Sequence, residues 1–173
     1  KILDKNLVFY VDECPLSKNI KKTKGFVKKS VKINNAIGNE RIKRTTLIYI
    51  VGNDGMYFYT ITPDIVNARV FWKFIQDAVN YFKENDEFNK KLNLSKVYIF
   101  MDNAPIHYKR DERAYYVDEK INIVYNVPYC CHLNPIEYCF SYLKNHLKKQ
   151  RIKDQEDLID KTQQYLDENA VND

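Results

Sequence analysis

VYIFMDNAPIH, residues Val97–His107, is the stretch on which the fold turns. Five apolar residues, Val97 to Met101, stop abruptly at Asp102, and Pro105 follows. A short continuous apolar run of this kind reads as a buried strand, and the acid and proline after it read as the start of a helix. Open α/β sheets gather their chemistry at the carboxyl ends of strands, which makes Asp102 a candidate functional group. A helix N-cap is the ordinary role for Asp before a proline-containing first turn, and on this stretch alone the cap is the stronger reading.

Working outward, Leu7–Asp12 (LVFYVD) repeats the design: an apolar run ending in a carboxylate. Thr45–Val51 and Met56–Ile61 are β-branched and aromatic runs joined by Gly52-Asn53-Asp54-Gly55, a strong antiparallel hairpin signal. After Pro63 the period changes. Val70, Phe71, Phe74, Ile75, Ala78, Val79 and Phe82 share one face, which predicts an amphipathic helix over Asn67–Lys83. A polar stretch then leads to Val97. Pro105–Asp118 reads as a helix, weakened by Tyr115, Tyr116 and Val117, and Ile121–Val127 as another buried strand. Asn134 as N-cap and Pro135 at the first position open a helix with the stripe Ile136, Phe140, Leu143 and Leu147. Asp154 caps a last helix with Leu158, Ile159, Thr162, Tyr165 and Leu166 inside. A hairpin beside the first strand, then crossover helices and parallel strands, predicts an α/β fold: a mixed sheet with helices on its faces.

The 173 residues fit one domain able to bury roughly 70% of its unfolded surface. A hydrophobic share of 45% with 14% aromatics excludes a disordered chain. No apolar run approaches the ~20 residues of a membrane span, and no signal peptide is visible. The chain begins at Lys1 rather than Met and reads as a piece of a longer protein. Cys14, Cys130, Cys131 and Cys139 are too few and too uneven for a disulfide framework. Cys130, Cys131, His132 and Cys139 mimic zinc ligands, but adjacent cysteines make poor tetrahedral partners and no C-x-x-C pair exists. They read as reduced thiols. Charge is more telling. Between Ser17 and Arg44 ten basic residues face one acid, a net +9 in a chain of net +5, which leaves −4 for the rest. A basic segment on an acidic body points to a polyanion such as nucleic acid; a solvated lysine-rich loop is the plainer alternative.

If the strands beginning at Leu7 and Val97 are adjacent and parallel, Asp12 and Asp102 emerge side by side. Two carboxylates so placed repel, and one pKa rises unless a cation lies between them. Mg²⁺ or Mn²⁺ favours such oxygen ligands. Glu137, in the first turn of the helix opened by Asn134, would complete a site, although Asn134 to Glu137 is also capping-box spacing.

VYIFMDNAPIH and PYCCHLNPIEYCF (Pro128–Phe140) resemble the second and third catalytic motifs of the mariner-type DDE transposases and their bacterial insertion-sequence relatives. Those motifs run as strand-D-N-A-x-x-H and P-x-S-P-x-L-N-P-I-E-x-x-W/F. Here D-N-A-P-I-H is Asp102–His107 and L-N-P-I-E is Leu133–Glu137, with 34 residues between the two acids. YVDEC, Tyr10–Cys14, resembles the first motif, and the likeness extends from Leu7 to Lys149. It implies an RNase H-like mixed five-stranded sheet flanked by helices. Asp12, Asp102 and Glu137 would be the catalytic, metal-binding triad, converging on two Mg²⁺ or Mn²⁺ ions. The implied reaction is DNA strand cleavage and strand transfer, with transposon ends and target DNA as partners, a possible homodimer, no membrane and no organic cofactor. The site of action would be intracellular: the nucleus in a eukaryote, otherwise the cytoplasm or nucleoid.

Asn103, His107 and Asn134 occupy family positions and would support the site or contact DNA. Glu13 alternates to the opposite side of its strand and reads as structural. Lys21, Lys22, Lys24, Lys28, Lys29, Arg41, Lys43 and Arg44 are candidates for the DNA backbone. Residues 1–173 read as a single catalytic domain, with the helix-turn-helix modules of such transposases absent from this chain. The family's Ser-Pro is Cys130-Cys131 here and its tryptophan is Phe140. Those departures leave a rival: a decayed or domesticated domain that binds DNA or partners without cutting.

Overall fold

The computed structural model describes residues 6–17, 45–63, 65–128, 130 and 134–169. Five strands form one sheet: β1 (Leu7–Leu16), β2 (Thr45–Gly52), β3 (Tyr57–Thr62), β4 (Val97–Met101) and β5 (Ile121–Tyr125). Their spatial order is β3-β2-β1-β4-β5. β2 runs antiparallel to both β1 and β3, whereas β4 is parallel to β1 and β5 parallel to β4. This is the mixed sheet expected from the sequence. The hairpin turn requires its glycines. Gly55 takes φ +86°, and a Cβ on Gly52 would stand 2.8 Å from the Phe9 ring.

Helices cover both faces. α1 (Ala68–Phe82) and α2 (Asp86–Asn93) pack on the side of Leu7, Phe9 and Val11; α4 (Ile136–Leu147) and α5 (Gln155–Asn169) pack on the side of Cys14, Leu16 and Tyr49. α3 (Arg110–Tyr116) buries no residue of its own. The Asn67 side chain accepts the Val70 N–H at 3.0 Å, so α1 starts where its cap predicts. Phe9 is 1% exposed, stacks on Phe82 at 4.7 Å and meets Phe88 edge-on at 5.9 Å, which joins β1 to both helices above it. Phe9→Ala is expected to cost about 3–5 kcal/mol of stability. Urea unfolding measures this, and a loss below about 1 kcal/mol would mean the cavity collapses.

Four expectations need correction. β1 does not stop at Asp12 but runs to Leu16, because β2 pairs with it through Leu16↔Thr45 after the parallel pairing with β4 ends at Tyr10↔Phe100. The polar stretch before Val97 holds α2: Asn85 caps it, and Phe88 and Leu92 are buried one turn apart. Pro105–Asp118 is not one helix. A 3-10 turn over Pro105–Tyr108 ends where Lys109 turns extended, and α3 follows. β5 ends at Tyr125, because the Asn126 side chain accepts the Val127 N–H and donates to the Cys130 carbonyl, turning the chain away. The basic segment, with Lys21, Lys22, Lys24, Lys28, Lys29, Arg41, Lys43 and Arg44, lies outside the described residues, as do Cys131, His132 and Leu133. No described helix is long and apolar enough to cross a membrane.

Candidate active site

The register of the central strands aligns the first two acids. Tyr10 lies opposite Phe100 in the parallel pair, with their rings edge-to-face at 5.8 Å. Two residues further along each chain, on the same face by alternation, stand Asp12 and Asp102. That face is the one packed by α4, whose first turn carries Glu137.

Asp102 is not the helix cap its sequence suggested: Ala104 holds that place, with no side-chain bond. The Asp102 Oδ1 accepts the Ala104 N–H at 2.9 Å in an Asx turn, and the same oxygen lies 2.8 Å from His107 Nδ1. His107 is fully buried, and its Nε2 stands 3.2 Å from Glu13 Oε1 on β1. Glu13 thus faces away from Asp12, as alternation requires, and meets the histidine 94 residues later. Burial works against a charge on His107, but its hydrogen bonds to Asp102 and Glu13 carry the imidazole up to about 9. At neutral pH it is an imidazolium between two carboxylates. Asp102 is held below the ordinary carboxylate range, chiefly by His107 and further by the Ala104 N–H, against partial burial.

Asp12 goes the other way. Burial is the main cause, the Glu13 N–H opposes it, and the negative charges of Asp102, Glu13 and Glu137 add to it, so the carboxyl is pushed up to about 7. Neighbouring acids driven to opposite pKa values are a mark of functional sites. As they stand, the side chains are within electrostatic reach of one another rather than closed around a point: among the described residues no three His, Cys, Asp or Glu are gathered to hold an ion. The donor set nevertheless fits a hard divalent cation. It consists of carboxylate oxygens that repel one another, one of them pushed up to about 7 by burial and by its acidic neighbours.

Asn134 is 1% exposed; its Oδ1 accepts the Ile136 N–H at 3.4 Å and its carbonyl accepts the Glu137 N–H at 3.2 Å. It leads the chain into α4, but the cap itself is Pro135, already at helical angles and without a side-chain bond, one position later than the sequence suggested. Among the described residues the capping-box return bond from the Glu137 carboxylate is not made, which leaves that side chain available. Asn103 is committed to structure: its amide donates to the Asn126 carbonyl and its oxygen accepts the Tyr108 hydroxyl. Sequence reasoning missed Asn126 and Tyr125, whose hydroxyl donates to the His107 carbonyl at 2.9 Å. Both lie at the end of the β5 strand, which was the available signal.

Residues 7–159 match the model of a family described as DDE superfamily endonuclease. Solved structures of the Mos1 mariner transposase share the fold. The pre-cleavage Mos1 transpososome superposes with a TM-score of 0.73 at 20% identity, over 96% of this chain and 48% of that one. The Mos1 paired end complex with Mn gives 0.72 at 22% identity, over 93% and 47%. The catalytic domain of Mos1 mariner transposase gives 0.68 at 20% identity, over 96% and 70%. The chain thus spans about half the length of the first two, and its sheet and helices are those of the RNase H-like Mos1 catalytic domain. No curated protein sequence matches it. With its match spanning almost the whole chain, this protein belongs to the DDE superfamily of endonucleases.

Proposed function

We propose that the chain is the catalytic domain of a cut-and-paste DNA transposase, with Asp12, Asp102 and Glu137 as its catalytic carboxylates. The observation that carries this reading is the depressed Asp102 beside the elevated Asp12, both on the sheet face that α4 covers with Glu137. Two divalent ions, Mg²⁺ or Mn²⁺, would supply an acidified water and neutralise charge building on the phosphate. Asp12, Asp102 and Glu137 would bind them. In the reaction water attacks a phosphodiester, the P–O3′ bond breaks, and a free 3′-hydroxyl is left. That hydroxyl then attacks a target phosphodiester, forming one P–O bond and releasing another 3′-hydroxyl. Lys21, Lys22, Lys24, Lys28, Lys29, Arg41, Lys43 and Arg44 would neutralise phosphates, a contribution independent of sequence and sensitive to salt. Asn134 would act by fixing the start of α4 and Asn103 by fastening the end of β4.

The Mos1 assemblies include paired-end complexes with Mn and with Mg and a strand transfer complex, which supports metal ions, transposon ends, target DNA and a dimer here. Such an enzyme works inside the cell, where the DNA lies. Nicking of supercoiled plasmid, or of a cognate end, tests the reading. Mg²⁺ or Mn²⁺ is expected to support it and EDTA to stop it. Nicking that persists in EDTA would overturn the metal mechanism, and a folded chain that bound DNA but cut nothing with either ion would establish the decayed-domain alternative.

A further inference from the structure

We infer that His107 is a positioning residue: by bridging Glu13 on β1 and Asp102 after β4, it pins one oxygen of the Asp102 carboxylate and leaves the second for a ligand. The inference rests on the proposed role of Asp102 as a metal-binding acid.

Asp102 is half-buried, with 42% of its side chain open to solvent, and such a carboxylate ordinarily samples several rotamers. Here Oδ1 is held twice, by His107 Nδ1 at 2.8 Å and by the Ala104 N–H at 2.9 Å. Among the described residues no hydrogen bond engages Oδ2. The anchor itself cannot turn. The His107 ring lies 4.1 Å from the Phe71 ring, the His107 backbone N–H donates to the Ala104 carbonyl at 2.9 Å, and the His107 carbonyl accepts the Tyr125 hydroxyl at 2.9 Å. Glu13 holds the far ring nitrogen at 3.2 Å. The two ring nitrogens of His107, on opposite edges of a rigid ring, reach one carboxylate each. The conformational freedom that Asp102 would give up when an ion binds is then already given up in the folded chain, as with the outer partners that orient metal ligands.

A plain fastener between β1 and β4 would hold the fold without touching metal affinity, and two isosteric variants separate the roles. Asn places its amide nitrogen where Nδ1 stands and keeps the Asp102 contact; Gln places its own where Nε2 stands and keeps only the Glu13 contact. The probe is Mn²⁺, titrated into the full chain and read by electron paramagnetic resonance, with strand cleavage against Mn²⁺ concentration in parallel. His107→Gln is expected to weaken Mn²⁺ binding about 10–100-fold with the KM for DNA unchanged, and His107→Asn to recover most of the loss. Adding Glu13→Gln to His107→Gln should weaken binding no further, since Glu13 works through the ring. Equal Mn²⁺ affinity in wild type and a folded His107→Gln, or equal loss in the Gln and Asn variants, overturns the inference. A different result sinks the reading beneath it: wild-type Mn²⁺ binding that Asp102→Asn leaves intact removes the metal role of Asp102, and this inference with it.

Discussion

Asp102→Asn is expected to lower strand cleavage at least about 1,000-fold, equivalent to about 4 kcal/mol of transition-state stabilisation. DNA affinity should stay within about twofold, because phosphate contacts elsewhere carry it. The physical reason is that the amide keeps an acceptor oxygen but no charge. The substituted side chain could still accept the Ala104 N–H that Asp102 accepts at 2.9 Å, so the turn into the 3-10 segment survives. What disappears is the anion that stands 2.8 Å from His107 and would hold the metal ions. The variant is also expected to be less stable than the wild type near pH 7. The Asp102 pKa is lowered in the folded state, so its contribution is present above the unfolded pKa and is lost as pH falls through the folded one. Single-turnover cleavage, filter binding and thermal melting on the same preparation separate the three effects. Cleavage within tenfold of wild type would remove Asp102 from the catalytic set.

Much of this site was legible because strands write their ends in sequence. Val97–Met101 stops at an acid, Leu7–Asp12 carries a matching one, and one assumption, a parallel central pair, brings them together; the pairing Tyr10↔Phe100 is that pair. Local rules failed where a distant partner decides. β1 runs on to Leu16 because β2 lies along its other edge, which nothing in LVFYVDECPL announces. α2 hides in a polar run because two buried side chains, Phe88 and Leu92, suffice once α1 and the sheet offer a surface. Alternation placed Glu13 away from Asp12 but could not name a histidine 94 residues on. The cap expected at Asp102 falls to Ala104, two residues on; Asp102 makes an Asx turn instead, with the same oxygen that lies beside His107. At Glu137 the spacing suited a capping box, yet α4 starts one residue later, with Pro135 as its cap and Asn134 Oδ1 accepting only the Ile136 N–H.

Asp12→Asn should remove activity as completely as Asp102→Asn and yet make the protein more stable, provided the pH is high enough. The Asp12 carboxyl has a pKa of about 7 in the fold against 3.8 as its ordinary value. A folded-state pKa raised in this way means that the native protein keeps a proton which the unfolded chain releases. Stability therefore falls as pH rises from about 4 to about 7, and the penalty is complete above that window, at most about 4 kcal/mol. Asparagine is neutral throughout. At pH 8 in EDTA, Asp12→Asn is expected to melt roughly 10 °C higher than wild type. At pH 4, where Asp12 is already protonated, the two should melt together. Divalent metal should reverse the order of benefit: Mn²⁺ at pH 8 raises the wild-type melting temperature by relieving the repulsion among Asp12, Asp102 and Glu137, while the variant gains little. A variant that melts below wild type at pH 8 would show that the Asp12 charge is satisfied within the fold, with no cation needed to offset it.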